Sequence, residues 1–233
     1  MAAPPPNRLR KHQNLALRLG TAIMSGTYRP GDSLGGEIEA AEALGVSRTV
    51  YREALRMLIA KGLVESRPRA GTHVTPRERW HLLDPDVLAW TYAGEPDPQA
   101  VRDLFELRAI LEPAAAELAA TRRSEAQLAE MTQSLARMAR HGLADPVGSA
   151  ADREFHRLLI AAAGNAALYS LASSVGAAVT WTTRFKQRRS ATPRDPLPDH
   201  QAVLAAVRAG DAAAARRAMT DLVALALADM AMS

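Results

Sequence analysis

The chain of 233 residues has no cysteine, only 4% aromatic residues and no long uninterrupted apolar run. The absence of cysteine excludes disulfides, thiolate catalysis and zinc sites with cysteine ligands. A membrane-spanning helix needs about 18 consecutive apolar residues, and because no such stretch occurs, no membrane association is expected. The hydrophobic content of 48%, supplied mainly by Ala and Leu, favours packed helices over sheets. These features predict a cytoplasmic protein of mainly α structure.

Charge is unevenly distributed along the chain. Residues 1–80 contain 13 Lys and Arg against 7 Asp and Glu, a net charge of +6, whereas residues 81–233 carry a net charge of −2. A basic first part followed by a mildly acidic remainder indicates that one domain contacts a polyanion. Charge by itself fits DNA, RNA or an anionic membrane surface, and it also fits a merely solvated basic surface.

The first third of the chain has the pattern of a winged helix-turn-helix domain. Residues 1–10 are predicted to be a disordered leader, and residues 11–77 to form the domain. Ser47 is a good N-cap for its third helix, and a basic turn joins two β-prone segments into a hairpin. The predicted elements are helices at about 13–25, 37–44 and 48–61 and strands at 63–66 and 72–75.

The start of the third predicted helix carries side chains that suit DNA. Recognition helices reach base edges and phosphates with their N-terminal residues. Arg pairs bidentately with guanine, whereas Ser, Thr and the helix N-terminal amides suit phosphate oxygens. The basic hairpin is expected at the DNA backbone or the adjacent minor groove. The predicted DNA-binding residues are Ser47, Arg48, Thr49, Arg52, Arg67, Arg69, Gly71 and Thr72.

Residues 15–75 resemble the DNA-binding domain of the GntR family of bacterial transcription regulators. The resemblance spans the whole domain in order, and it implies double-stranded operator DNA as the partner. One position departs from the pattern, since Ile38 stands where better-known members often carry Arg. The matching residues are Gly26, Pro30, Gly31, Leu34, Gly45, Val46, Ser47, Arg48, Arg52, Glu53, Ala54, Leu55, Leu58, Gly62, Leu63, Val64, Gly71, Thr72 and Val74.

A structured connector is predicted over residues 78–97. Asp84 and Pro85 have the pattern of a helix cap and first helical residue, and Trp90 is expected to anchor the segment on an apolar surface. The segment lacks the Gly and Ser runs of a flexible linker. Residues 98–233 then predict an all-α bundle of six or seven helices, at about 98–120, 124–142, 146–163, 166–189, 198–209 and 211–231.

Polar residues embedded in the apolar pattern of this bundle indicate a binding site. Asp152 and His156 are spaced i,i+4 and therefore project from one face of a helix. His200 opens a later helix, and Arg108 stands among aliphatic residues. A carboxylate and two imidazoles in one cavity suit Zn²⁺ or a similar divalent ion. On spacing alone, the alternative remains that Asp152 pairs with a neighbour or solvent and that the histidines cap helices.

Residues 98–231 resemble the FCD effector domain, which characterises the FadR subfamily of the GntR family. The resemblance implies that Arg108 grips the carboxylate of a small effector, with Asp152, His156, Asn165 and His200 binding its hydroxyls or a metal. Trp181 and Arg184 are expected at the same cavity. The segments that carry the resemblance are 104–113, 152–156, 163–165, His200, Ala206 and Gly210–Asp211. The connector resembles that of regulators of sugar-acid catabolism, which implies a sugar acid as effector.

The metal site that the resemblance implies lacks one of its expected ligands. Asp152, His156 and His200 match the pattern, but Leu222 stands where a further His is expected. Asp221 is turned by about 100° around the helix and should not substitute for it. Three ligands still make an open zinc site, so the metal-bound and the metal-free alternatives both remain.

The function predicted from these features is that of an effector-responsive transcription regulator, a repressor. A homodimer is expected to bind a palindromic operator and to be released when a small carboxylate binds the helical domain. The competing hypothesis is a metal-dependent enzyme acting through Asp152, His156 and His200, although the chain has no nucleophile elbow or His-Glu-x-x-His pair. A DNA-binding architectural protein is a third hypothesis, against which the embedded Arg108 argues.

Overall fold

The chain folds into two compact units, Met1–Asp97 and Pro98–Ser233. The described residues contain eleven α-helices and one two-stranded antiparallel sheet, which confirms the mainly α fold with a winged helix-turn-helix and a helical bundle. None of these described helices is both long and apolar enough to cross a membrane. The computed structural model describes residues 6–67, 71–93, 97–189 and 194–231.

The first unit follows the predicted order of elements, with a longer first helix. Helix α1 begins at Pro6, inside the segment 1–10 predicted as a leader, because proline is well tolerated at the first helical position. Residues 1–5 of that segment lie outside the described residues. The elements are α1 Pro6–Met24, α2 Glu37–Ala43, α3 Arg48–Ala60, β1 Val64–Arg67, β2 Gly71–Val74, a 3-10 turn Arg77–Arg79 and α4 Pro85–Thr91.

The core of this unit orients α3. The side chain of Ser47 accepts a hydrogen bond from the Val50 amide (3.3 Å), so it caps the helix as predicted. Apolar residues on one face of α3 pack with those of α1, and the opposite face stays exposed. The buried residues include Leu15, Ala16, Leu19, Ile23, Val50, Tyr51, Ala54, Leu55 and Leu58.

The described part of the predicted connector, residues 78–93, packs within the first unit. Trp90 is buried there, and its indole lies so close to Gly20 that a Cβ on that glycine would come within 2.2 Å of the ring. Lys61 Nζ lies 2.7 Å from Asp84 Oδ1 and 2.8 Å from Asp86 Oδ2. Burial raises the pKa of the Asp84 carboxyl, but Lys61 and the amides of α4 lower it below its ordinary value. The end of α3 and the start of α4 are therefore tied by charge.

Substitution of Gly20 by Ala tests this packing. Alanine favours a helix by about 1 kcal/mol over glycine, but overpacking against the Trp90 ring costs about 1–3 kcal/mol, and we expect the net result to be a lower melting temperature. Gly176→Ala is the control, since a Cβ there meets the flexible side chain of Arg153 at 3.0 Å instead. Thermal unfolding followed by circular dichroism measures both; an unchanged or raised melting temperature for Gly20→Ala would contradict the contact.

The second unit contains seven helices within its described residues. The single helix predicted over 166–189 is divided in two, because the Ser170 hydroxyl donates to the Ala167 carbonyl (2.7 Å) and so competes with helical bonding of the backbone. Helices α5, α6, α7, α10 and α11 supply the main core. The helices are α5 Pro98–Arg122, α6 Glu125–His141, α7 Pro146–Ala162, α8 Ala166–Tyr169, α9 Ala172–Arg189, α10 Leu197–Ala209 and α11 Ala212–Ala231.

Candidate functional site

The exposed face of α3 presents two arginines. Arg48 and Arg52 are exposed, and neither side chain forms an ion pair or hydrogen bond within the described part of the chain. One turn further on, Arg56 is held by Glu53, with 2.8 Å between Nη1 and Oε1. Thr49 is half-buried beside them. Two unpaired guanidinium groups next to a helix N-terminus are the charge distribution that phosphates and base edges require.

The hairpin carries less free charge than its sequence suggests. Arg67 donates from Nε (2.9 Å) and Nη2 (2.6 Å) to Glu65 Oε1, and Arg79 donates to the other carboxylate oxygen of Glu65 at 2.6 Å. Arg79 and Arg67 hold the pKa of the Glu65 carboxyl below its ordinary value. Arg69, also predicted at DNA, lies outside the described residues.

Two further predicted DNA contacts have structural roles in the hairpin. Gly71 has a φ of +86°, a conformation that favours glycine. The side chain of Thr72 is 5% exposed, and its carbonyl accepts a hydrogen bond from the Leu34 amide at 2.8 Å. The contact of Thr72 with DNA stays a prediction, and the structure places its side chain on the buried face of β2.

In the second unit, the structure brings Asp152, His156 and His200 together. Helix α7 supplies the first two and α10 the third, and all three are buried. The two Nε2 atoms of the histidines lie 3.3 Å apart, and Asp152 Oδ1 lies 3.0 Å from His200 Nε2 and 3.6 Å from His156 Nε2. The alternative that these histidines only cap helices is thereby ruled out for His156, which lies in the interior of α7.

Hydrogen bonds on the far side of each ring orient the histidines. His156 Nδ1 contacts Glu112 Oε2, and His200 Nδ1 lies 2.8 Å from the Pro196 carbonyl oxygen. Both partners are acceptors, so Nδ1 is the donor in each ring. Each imidazole, when neutral, therefore presents an unprotonated Nε2 toward Asp152, as ligating histidines do when their other nitrogen is hydrogen-bonded.

The cluster has the donor set and spacing of a divalent metal site. Asp152 Oδ1 is buried and accepts no hydrogen bond within the described residues. Burial raises the pKa of the Asp152 carboxyl, but His200 and His156, when they are protonated, and Arg108 lower it below its ordinary value. Ligand atoms about 2.1 Å from a tetrahedral zinc ion lie about 3.4 Å from one another. The three observed separations of 3.0, 3.3 and 3.6 Å fit that arrangement.

Glu112 is a further site residue, which is not among those predicted from the sequence. Its Oε1 accepts a hydrogen bond from Arg108 Nε at 2.6 Å and its Oε2 meets His156, with both side chains of the Arg–Glu pair almost fully buried. Burial raises the pKa of Glu112, but Arg108 and His156 outweigh it and bring the pKa to about 2. The signal was present in the i,i+4 spacing of Arg108 and Glu112 on α5. Glu112 thus balances the charge of Arg108.

One wall of the cavity beside the cluster is formed by the residue that stands where a fourth metal ligand was expected. Leu222 is buried and lines it, whereas Asp221 is exposed, as the geometry of α11 predicts. Two cations that are not among the predicted site residues, Lys186 and Arg194, also line it. The cavity volume is about 20 Å³.

Three other predicted site residues lie elsewhere. Asn165 is exposed and caps α8, accepting a hydrogen bond from the Leu168 amide at 3.1 Å, and it does not line the cavity. Trp181 and Arg184 line a separate groove of about 550 Å³ between α7 and α9. For Trp181 and Arg184 the helical period explains the difference, because they are adjacent to the cavity-lining Thr182 and Thr183 on α9 and point to another side of the helix.

Two sequence families match the chain. Residues 11–74 match the bacterial regulatory proteins of the gntR family, and residues 103–225 match the FCD domain. The chain is 32% identical over 219 residues to the galactonate operon transcriptional repressor of Escherichia coli (strain K12), covering 93% of this chain and 95% of that protein. It is 32% identical over 202 residues to the HTH-type transcriptional regulator LutR of Bacillus subtilis (strain 168), covering 84% and 90%.

Solved structures share the fold. Streptococcus agalactiae GntR aligns with a TM-score of 0.50 at 29% identity, over 93% of this chain and 99% of that one. The Listeria monocytogenes protein Lar aligns with a TM-score of 0.68 at 19% identity, over 99% of both chains, and shows the fold alone. Both of the curated relatives given above are named as transcription regulators. The chain is therefore a DNA-binding transcription regulator of the gntR family, with an FCD domain following its winged helix-turn-helix.

Proposed function

We propose that this regulator is a homodimeric repressor that leaves a palindromic operator when a sugar acid binds its FCD domain. The observation that carries the proposal is the buried cluster of Asp152, His156 and His200 beside a cavity lined by cations. The similar repressor of the galactonate operon supports a sugar acid as the ligand class. Two copies of α3, with Arg48 and Arg52 free to contact DNA, match the two-fold symmetry of a palindrome.

The cluster and the residues beside it divide the roles in this proposal. Asp152, His156 and His200 would hold a divalent ion, zinc first, while Glu112 fixes the orientation of His156 and of Arg108. When bound, such an ion supplies a Lewis acid for an oxygen of the ligand. Arg108 lines the cavity as a donor to the ligand. The acid controls DNA binding because it favours one arrangement of the dimer over another.

Thermal unfolding with zinc, chelator and galactonate tests the proposal. We expect zinc to raise the melting temperature of the chelated protein and galactonate to raise it further, since a ligand at 100 times its Kd stabilises by about 2.7 kcal/mol. His200→Ala should lose both responses, whereas the control His141→Ala, which removes a partly exposed histidine, should keep them. Equal responses of His200→Ala and wild type would contradict the proposed site.

DNA binding is tested separately, by footprinting upstream of the gene for the chain. We expect protection of a palindrome that disappears when galactonate and zinc are added together. A panel of aldonic and uronic acids extends the search for the natural ligand. Protection that no acid in the panel removes would overturn the proposal that the protein is an acid-released repressor.

A further inference from the structure

The cavity beside the cluster is too small for the ligand class proposed above. Its volume of about 20 Å³ suits about one water molecule, whereas ligand pockets measure about 300–1,000 Å³. A sugar acid can therefore bind only after the residues around the cavity rearrange. Which contacts change follows from which ion pairs of the lining cations can be exchanged for pairs with a ligand carboxylate, and this inference rests on the proposed function.

One carboxylate holds two of the cations that line the cavity. Lys186 Nζ lies 2.9 Å from Asp229 Oδ2, and Arg194 Nε lies 3.3 and 3.2 Å from the two oxygens of Asp229. Arg194 also pairs with Asp199 through Nη1. These contacts join three helices beside the cavity, namely α9, α11 and α10 together with the residues that precede it. The Asp229 carboxylate thus satisfies the cations that an acidic ligand would meet.

The remaining cation of the cavity is bound differently. Arg108 is 3% exposed, and its partner Glu112 also contacts His156. If Arg108 exchanged Glu112 for a ligand carboxylate, the charge of Glu112 would stay buried and lose its cationic partner. The side chains of Arg194 and Asp229 are 32% and 17% exposed, so water can solvate Asp229 after it separates. Replacing Asp229 at Lys186 and Arg194 by a ligand carboxylate therefore costs less free energy than replacing Glu112 at Arg108.

Arg194 also has an unused donor. Its Nη2 atom is buried and makes no hydrogen bond within the described residues. A guanidinium group binds a carboxylate most strongly through two parallel N–H donors, and Asp229 contacts it only through Nε. A free carboxylate, unlike one anchored on α11, can rotate to use both donors.

We propose that Lys186 and Arg194 bind the carboxylate of the acidic ligand, and that Asp229 occupies these two cations in its place until the ligand arrives. The exchange replaces one carboxylate with another, so the charge on the two cations stays balanced. Release of Asp229 breaks the ion pairs that connect α11 with α9 and with the residues before α10. The acid thereby distinguishes two states of the bundle, as a ligand that shifts a conformational equilibrium must.

The test compares ligand affinities of full-length, zinc-loaded variants by isothermal titration calorimetry with galactonate. Asp229→Asn removes the competing charge and should bind galactonate about tenfold more tightly than wild type, which corresponds to Asp229 occupying the cations in about nine molecules of ten. The control Asp221→Asn removes an exposed carboxylate of the same helix and should match wild type. Arg194→Gln should bind galactonate at least about tenfold more weakly.

Galactitol, which has the same chain without the carboxylate, separates this exchange from general loosening of the bundle. Asp229→Asn should leave galactitol binding as it is in wild type; a gain for both compounds would overturn the exchange. Equal galactonate affinities of Asp229→Asn and wild type, with melting temperatures that show both to be folded, would also overturn it. A wild type that binds no acid of the aldonic and uronic panel would overturn the proposed function itself and this inference with it.

Discussion

Arg52→Ala is expected to weaken operator binding roughly 10- to 100-fold, because a guanidinium contact to a base is worth about 1–3 kcal/mol. The double variant Arg48→Ala/Arg52→Ala should lose about 1,000-fold if the two contacts are independent. The reason is that both side chains are exposed at the start of α3 and have no partner within the described residues that would compete with DNA. Fluorescence anisotropy with labelled operator, at one fixed salt concentration, measures the change.

The matched control for this prediction removes an arginine from the second unit. Arg216→Ala loses the same charge but only breaks an exposed pair with Glu117, so it should bind the operator as wild type does. Binding of galactonate should be unchanged in all three variants. If Arg52→Ala binds operator and scrambled DNA with the affinities of wild type, α3 is not the helix that recognises the operator.

Leu222→His is expected to raise the affinity for zinc by at least about tenfold, since even partners outside the ligand set change metal affinity about 10- to 100-fold. Leu222 is buried at the wall of the cavity that Asp152, His156 and His200 share. An imidazole at this position adds a fourth ligand to a site that otherwise leaves one position open. Competition with a chromophoric zinc chelator measures the affinity.

The neighbouring position provides a control for that gain. Asp221→His places the same imidazole one residue earlier on α11, about 100° around the helix and exposed. It should leave the affinity for zinc unchanged. In the presence of chelator, Leu222→His should have a lower melting temperature than wild type because it buries an unpaired polar ring. Addition of zinc should remove this difference in melting temperature. Equal zinc affinities of Leu222→His and Asp221→His would contradict the placement of the site.

Features that depend on nearby residues could be predicted from the sequence. Ser47 caps α3 and Asp84 caps α4 as expected, because a capping side chain bonds only to amides two or three residues away. The i,i+4 spacing of Asp152 and His156 placed them on one face of α7, and the same helical period separated Leu222 from Asp221. These relations hold whatever the helices pack against.

Features that depend on which helices meet could not be predicted in this way. The resemblance to the FCD domain placed His200 with Asp152 and His156. The spacing of the residues could not do so, since α7 and α10 are far apart in the sequence. Nor could a pattern show that Lys186 meets Asp229 while Trp181 and Arg184 face another groove. The burial of Thr72 in β2 likewise depends on tertiary packing, and its predicted contact with DNA stays a prediction.

The sequence by itself determined the two units, the capped α3 with its exposed arginines, and the residue types available for a metal site. Only the tertiary structure decided how those groups are paired. Glu112 balances Arg108 and orients His156, whereas Asp152 Oδ1 keeps no hydrogen bond within the described residues. The physical reason is that the charge state and tautomer of a buried group depend on atoms within a few ångströms, and in this bundle those atoms come from different helices.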